Sequence, residues 1–224
     1  MPAGRDRQAW PTVSIVSEAF EIVRAGYDGI GERYRDWSAA SVVRLRWVDR
    51  LLEELSPRSI VVDLGCGPGE PATRLLASRH RVIGIDASTA QLALARSAAP
   101  TALLIHADMT RFGMRPESVD AVASLYAIGH VPSRLHAPLL SSIAGWLRPG
   151  GLLLASAPVN AGDQADDNWL GVPMFFGGIG EDATRRAIAG AGLQLVNLEV
   201  IDEDEGDGHR VRFIWFIAKK PDGR

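Results

Sequence analysis

Asp63, Asp86 and Asp108 each close or follow a short apolar run, and the first is followed at once by a glycine turn, Gly65-Cys66-Gly67-Pro68-Gly69. The glycine spacing is G-x-G-x-G, whereas the fingerprint that seats a pyrophosphate on a helix N-terminus is G-x-G-x-x-G. An acid just ahead of the turn would repel a phosphate and suits a cationic amino-acid group. The glycines allow the backbone to approach a ligand with no Cβ in the way. Asp86 stands where a carboxylate accepts hydrogen bonds from both hydroxyls of a ribose. Asp108-Met109 stands where an acid accepts from an adenine amino group and the next backbone N–H reaches the ring. Taken singly, each aspartate has a plainer reading as a helix N-cap or turn former. Three acids at successive strand ends, on the rim where open α/β sheets bind ligands, favour a nucleoside.

His130, in Tyr126-Ala127-Ile128-Gly129-His130-Val131-Pro132, is the candidate general base. A neutral imidazole just past the fourth apolar run would take an acceptor's proton. The alternative is that it caps a helix beginning near Ser133. Cys66 has neither His nor Lys beside it and reads as a small core filler. His136 reads as structural, and His80, His106 and His209 are assigned no chemistry. Two aromatic groups lie outside this frame. Tyr27, Tyr34 and Trp37 form either a lid or the ordinary packing of an amphipathic cap. Trp169, Met174, Phe175 and Phe176 fall in 158–178, a stretch without clear period that is expected to be a long loop. Long loops in compact domains are functional or disordered, and this aromatic content argues against disorder. The loop is therefore read as an acceptor-pocket wall, with Tyr34, His130, Trp169, Met174 and Phe175 as acceptor contacts.

The elements that must position these residues follow from periodicity. Helical spacing marks 13–25 and 42–55, with Gly26, Gly29 and Gly31 expected to break the chain between them and Pro57 to close the second helix. From Ser59 short apolar runs alternate with helices. Strands are expected at 60–62, 81–85, 102–105, 119–124 and 152–157, and helices at 70–78, 88–98 and 134–147. Such alternation means βαβ units and a parallel sheet covered on both faces. A helix at 181–191, stopped by Gly192, precedes two final strands at 193–201 and 211–218, with a hairpin turn over 202–208.

The 224 residues suffice for one compact α/β domain with a cap. A net charge of −3 gives no electrostatic footprint for nucleic acid or an anionic membrane. The single cysteine excludes an internal disulfide and a cysteine-rich zinc site. No apolar run approaches the roughly 20 residues that span a bilayer, and residues 1–10 are polar, with no signal-peptide core. A cytoplasmic location is expected. Asp163, Asp166 and Asp167 leave a small opening for a metal.

Over 59–157, and more loosely to 218, the sequence resembles the class I S-adenosylmethionine-dependent methyltransferases, particularly the small UbiE-like and natural-product tailoring enzymes. The resemblance is carried in order by 63–69, Gly84-Ile85-Asp86-Ala87-Ser88, Ala107-Asp108-Met109, 120–126 and Leu147-Arg148-Pro149-Gly150-Gly151. It implies a Rossmann-like α/β fold, doubly wound, with a seven-stranded, mostly parallel sheet, an antiparallel last strand and an N-terminal helical cap. The cap would cover 1–57 and the core 58–220. The cofactor implied is S-adenosyl-L-methionine, leaving S-adenosyl-L-homocysteine, with contacts at Tyr27, Asp63, Gly65, Gly67, Asp86, Ser88, Asp108, Met109 and Leu125. The expected acceptor is a small molecule, of secondary metabolism, and the expected state a monomer or homodimer without metal, nucleic acid or membrane partners. The rival readings are a peptide or protein-terminus methyltransferase and a non-catalytic cofactor-binding module.

Overall fold

A computed structural model describes residues 14–38, 41–204 and 210–223. The polar N-terminus, the start of the first helix at 13 and His209 lie outside the described residues. Helices α1 (Ser14–Ile30), α2 (Glu32–Ser38) and α3 (Val42–Glu54) precede the sheet. The first βα units follow: β1 (Ile60–Leu64), α4 (Ala72–Ala77), β2 (Arg81–Asp86), α5 (Thr89–Ala98) and β3 (Leu103–His106). After β4 (Val119–Ser124), two short 3₁₀ turns, Ile128–His130 and Ser133–Leu135, lead into α6 (His136–Trp146) and β5 (Leu147–Pro158). The chain continues through β6 (Ala161–Trp169), β7 (Val172–Ile179), α7 (Glu181–Gly190), β8 (Gln194–Asp204) and β9 (Arg210–Lys219).

Seven strands form one sheet in the order β3-β2-β1-β4-β5-β9-β8. β3, β2, β1, β4 and β5 run parallel, and β9 lies antiparallel between β5 and β8. The last strand is thus the antiparallel one, as the resemblance implied. Strand alternation sends neighbours to opposite faces. Val62, Leu153 and Phe216 pack with Leu139 and Ile143 of α6 on one face, while Val61, Leu154 and Trp215 pack with Trp47 and Leu51 of α3 on the other. Both faces are dry, which is why these strands read as unbroken apolar runs. Among the described residues no helix is long and apolar enough to cross a membrane.

The structure departs from the sequence reading in two places that matter for the site. Gly26 and Gly29 do not break the first helix; α1 runs through both and stops at Gly31, which takes φ +46°. Gly26 serves close approach instead, since a Cβ there would stand 2.7 Å from Met174 Cε and 2.8 Å from the Pro173 carbonyl oxygen. The segment at 158–178 is not a loop either. β6 and β7 pair as a separate antiparallel hairpin, with Trp169 opposite Val172 across the two-residue turn Leu170-Gly171. Both turn residues have positive φ, 49° and 84°, the geometry that matches the twist of the flanking strands. The final hairpin is also longer than expected, because β8 and β9 stay paired out to Asp204 and Arg210. Its tip, 205–209, lies outside the described residues.

Candidate active site

The floor of the site is built where β1 and β2 end. Gly65 and Cys66 N–H groups donate to the Ile85 carbonyl at 2.8 and 3.0 Å, folding the glycine turn back across β2. Gly65 takes φ +74°, and a Cβ on it would lie 2.3 Å from that of Ala127, so only glycine lets the turn pass under the segment after β4. Gly67 N–H donates to one carboxylate oxygen of Asp86 and Ser88 N–H to the other, each at 2.8 Å. Each Asp86 oxygen keeps a lone pair for a further donor. Burial pushes this carboxyl up, and the bonds from Ser88 and Gly67 hold it back down.

Two adjoining hollows, of about 470 and 460 Å³, open above this floor and share Asp86, Ala87, Met109, Ala127 and His130. Asp108 lines the first; Tyr27, Tyr34, Gly65, Gly67, Ser88 and Leu125 line the second. Eight of the nine residues expected at the cofactor therefore surround one space. Asp63 is the exception. Its side chain is buried and accepts the Thr73 hydroxyl at 2.7 Å, and burial pushes its carboxyl up to about 6. Asp108 also has a local role, one oxygen accepting both the backbone N–H and the hydroxyl of Thr110 at 2.8 and 2.7 Å.

The roof is the end of α1. Asp28 accepts the Ser88 hydroxyl at 2.6 Å and the Ala90 N–H at 3.2 Å, pinning α1 to the start of α5. Partial burial opposes its ionisation, but these bonds hold its carboxyl below the usual range. Gln91 donates to the carbonyls of Tyr27 and Gly31 at 3.2 and 3.1 Å. Neither Asp28 nor Gln91 was found by sequence reasoning, because nothing local distinguishes them from surface polar residues. The cap helix is therefore tied directly to the loop after β2 and the start of α5.

His130 joins three segments. Its Nδ1 lies 2.9 Å from the Phe175 carbonyl oxygen, which can only accept, so Nδ1 carries the proton. Nε2 is then an acceptor and takes the Tyr27 hydroxyl at 2.8 Å. Burial drives the imidazole down to about 4, against a smaller opposing effect of the Phe175 bond, so it is neutral at physiological pH. His130 does not cap the following turn; Asp163 does, accepting from Ser133 N–H at 2.8 Å. Among the described residues no cluster of three or more His, Cys, Asp or Glu has the geometry for a metal ion.

The aromatic residues converge around this histidine. Trp169 stacks edge-on against Tyr27 and Trp37, with ring centres 5.9 and 6.0 Å away, and lies 6.1 Å from His130. Tyr34 packs on Tyr27 at 4.9 Å. On β7 the ring that faces the cluster belongs to Phe176, 5.1 Å from His130 and 5.7 Å from Trp169. Strand alternation turns the Phe175 side chain the other way, leaving its carbonyl as its contribution to the site. Met174 is fully buried against Gly26 and acts as the hairpin's anchor. Of the expected acceptor contacts, Tyr34, His130 and Trp169 meet directly, while Met174 and Phe175 act from behind.

Two remaining residues complete the surroundings. Cys66 is buried, and burial pushes its thiol well up, in keeping with a filler rather than a nucleophile. Tyr126 closes the second hollow in a left-handed conformation, φ +59°, its hydroxyl donating to Glu203 and its ring under the Arg44 guanidinium at 4.6 Å.

The strand order, with the glycine turn lying against Ala127 and Asp86 keeping lone pairs free, has the architecture of the class I S-adenosylmethionine-dependent methyltransferase fold. The cofactor of that class fits the residues present: a Cβ-free turn under the hollow, an acid at its centre and a second acid, Asp108, at its far wall. Residues 61–151 match the family described as "Methyltransferase domain". A trans-aconitate 2-methyltransferase of Paracidovorax citrulli is 42 % identical over 113 residues, 47 % of this chain and 41 % of the relative. Its counterpart in Escherichia coli O45:K1 is 34 % identical over 146 residues, 60 % of this chain and 53 % of the relative. The chain thus spans about half the length, or less, of the curated relatives it matches. In architecture it is similar to the 1,6-didemethyltoxoflavin-N1-methyltransferase of Burkholderia thailandensis, with a TM-score of 0.72 at 16 % identity, covering 99 % of this chain and 94 % of that one.

Proposed function

We propose that this protein transfers the methyl group of S-adenosylmethionine to a small, largely apolar molecule seated between the cap and the β6–β7 hairpin. The observation that carries this reading is the adjacency of Asp86, with lone pairs free above the glycine turn, to an aromatic wall that contains a neutral histidine. Bound S-adenosylmethionine supplies a methyl group on an activated sulfonium, so the protein's task is chiefly to orient the acceptor and exclude water. Asp86 would hold the ribose and Asp108 the adenine, with Gly65 and Gly67 leaving room for the methionyl part. Trp169, Tyr34 and Phe176 would bury the acceptor's apolar body, an arrangement typical of small-molecule sites.

The relatives' names point to trans-aconitate, a tricarboxylate, but the acceptor side here supports a different molecule. Among the described residues lining the hollows, Arg24 is the one arginine or lysine, and it is engaged by Glu21 and Asp28. Three carboxylates would call for more positive charge than that. The reading is tested by calorimetry and turnover together. Asp86→Ala should weaken S-adenosylmethionine and S-adenosylhomocysteine binding by about 1.5–3 kcal/mol, the range for hydrogen bonds to a charged group. Equal affinities for wild type and variant would remove the assignment. Tight binding with no S-adenosylhomocysteine formed from any acceptor would instead mark a binding module.

A further inference from the structure

We propose that Tyr27 is a catalytic residue, relaying the acceptor's proton to His130, and that the acceptor is a hydroxyl compound still protonated at neutral pH rather than a carboxylate. This rests on the methyltransferase reading above and names its acceptor chemistry. The hydrogen bonding of His130 carries it. With Nδ1–H committed to the Phe175 carbonyl, Nε2 is the one basic atom of the ring, and the Tyr27 hydroxyl already occupies it at 2.8 Å. Tyr27 and His130 both line the second hollow, and with Nε2 occupied the phenol oxygen is the atom of the pair left to meet an acceptor. The phenol donates to Nε2 and keeps lone pairs with which to receive another proton.

The step balances. The acceptor's O–H bond breaks as its proton bonds to the Tyr27 oxygen, and the Tyr27 O–H bond breaks as its proton bonds to Nε2. The acceptor's electron pair forms the new bond to carbon and displaces sulfur, which leaves neutral. One positive charge disappears from sulfur as one appears on the imidazole, so the site's net charge is unchanged. That matters because an imidazolium at His130 is costly, since burial holds it down to about 4. A free phenolate is costly too: burial pushes Tyr27 well up, the neighbouring Tyr34 and Asp86 add to this, and Arg44 opposes it. A concerted relay avoids leaving either ion behind uncompensated. A carboxylic acid, ionised above about pH 5, has no proton to pass at neutral pH.

The test uses the full chain with S-adenosylmethionine and phenols of graded acidity, from phenol to 4-nitrophenol, beside benzoate and trans-aconitate. Wild type is expected to methylate the phenols. Tyr27→Phe keeps the ring and should lower kcat on phenol by about 10²- to 10⁴-fold. On 4-nitrophenol, largely ionised at pH 8, the loss should shrink to less than about tenfold, because no proton has to move. His130→Asn retains an N–H for the Phe175 carbonyl and should give the same pattern, with little further loss in the double variant. A purely structural role would lower both ends of the series alike. The kcat values are compared at saturating S-adenosylmethionine, and calorimetry of S-adenosylhomocysteine reports any loss of cofactor contact at Tyr27. Failure of the wild type to bind it sinks the methyltransferase reading itself. With binding intact, the relay is overturned by equal losses across the phenols, by wild-type turnover of benzoate or trans-aconitate that Tyr27→Phe leaves unchanged, or by no turnover of any phenol.

Discussion

At the scale of single residues, two buried groups with opposite charge chemistry, Asp63 outside the hollows and His130 lining them, have pH dependences that oppose each other. Burial raises the Asp63 carboxyl from 3.8 to about 6. Between those values the unfolded chain is ionised while the folded chain keeps the proton, so stability falls as pH rises through that window. His130 runs the other way. Its folded value of about 4 lies below 6.5, so the unfolded chain takes up a proton first and stability is lost as pH falls from about 6.5 towards 4. The two slopes nearly offset. Asp63→Asn, which can still accept the Thr73 hydroxyl, removes the first. Relative to wild type it should gain stability as pH rises from about 4 to 6, by up to about 3 kcal/mol. Denaturant titrations at a series of pH values would show this, and a constant difference across the window would mean that Asp63 ionises normally. The glycine turn and the acids were legible in the sequence because their chemistry is local: an acid at a strand end and glycines where the backbone must approach a ligand. What Asp63 touches was not legible. Thr73 lies ten residues on, and only the return of α4 over β1 brings its hydroxyl to the carboxylate.

At the scale of elements, Gly26 shows how one residue type can be read two ways. As a helix breaker it would end α1 before Tyr27; as a point of contact it lets β7 rest against the helix. Gly26→Ala should therefore be unfavourable. The Met174 methyl can swing aside, but the Pro173 carbonyl is backbone and cannot. The cost should exceed the ~1 kcal/mol that alanine otherwise gains over glycine in a helix, leaving a net loss of about 1–2 kcal/mol from overpacking. Thermal denaturation reads the loss, and a rise in stability would mean that the hairpin is free to shift. The hairpin itself escaped the sequence reading for a physical reason. Residues of β6, Ala161–Trp169, are almost all exposed and mostly small or polar, so no apolar alternation marks them as a strand. The turn, Leu170-Gly171, lacks the Asn-Gly or Asp-Gly signature. β7 carries the buried residues, and without its polar partner visible the stretch looked like an aromatic loop.

At the scale of the molecule, the chain divides into a sheet packed on both faces and a smaller assembly laid across the strand ends. α1, α2 and the β6–β7 hairpin hold one another through Tyr27, Tyr34, Trp169 and Met174, and reach the core at Asp28–Ser88, at Gln91, at Asp163–Ser133 and at His130. Segments tied down at few points open at lower free energy than the core. Amide hydrogen exchange should show α1, α2 and β6–β7 opening together, before β1, β4 and β5. S-adenosylhomocysteine should protect α1 and α2 as well as the loops after β1 and β2. Independent opening of the hairpin and α1 would contradict a joint lid.

The hydrogen bond that orients His130 comes from the main chain of β7, through the carbonyl of Phe175, and not from a side chain. Any residue type at that position offers the same oxygen. The hairpin can therefore exchange its side chains without disturbing the tautomer of the imidazole beneath it. On the proposed reading, selectivity and reactivity are written in different atoms of one hairpin, so redesign of the acceptor can begin at Trp169 and Phe176 while the path of β7 stays fixed.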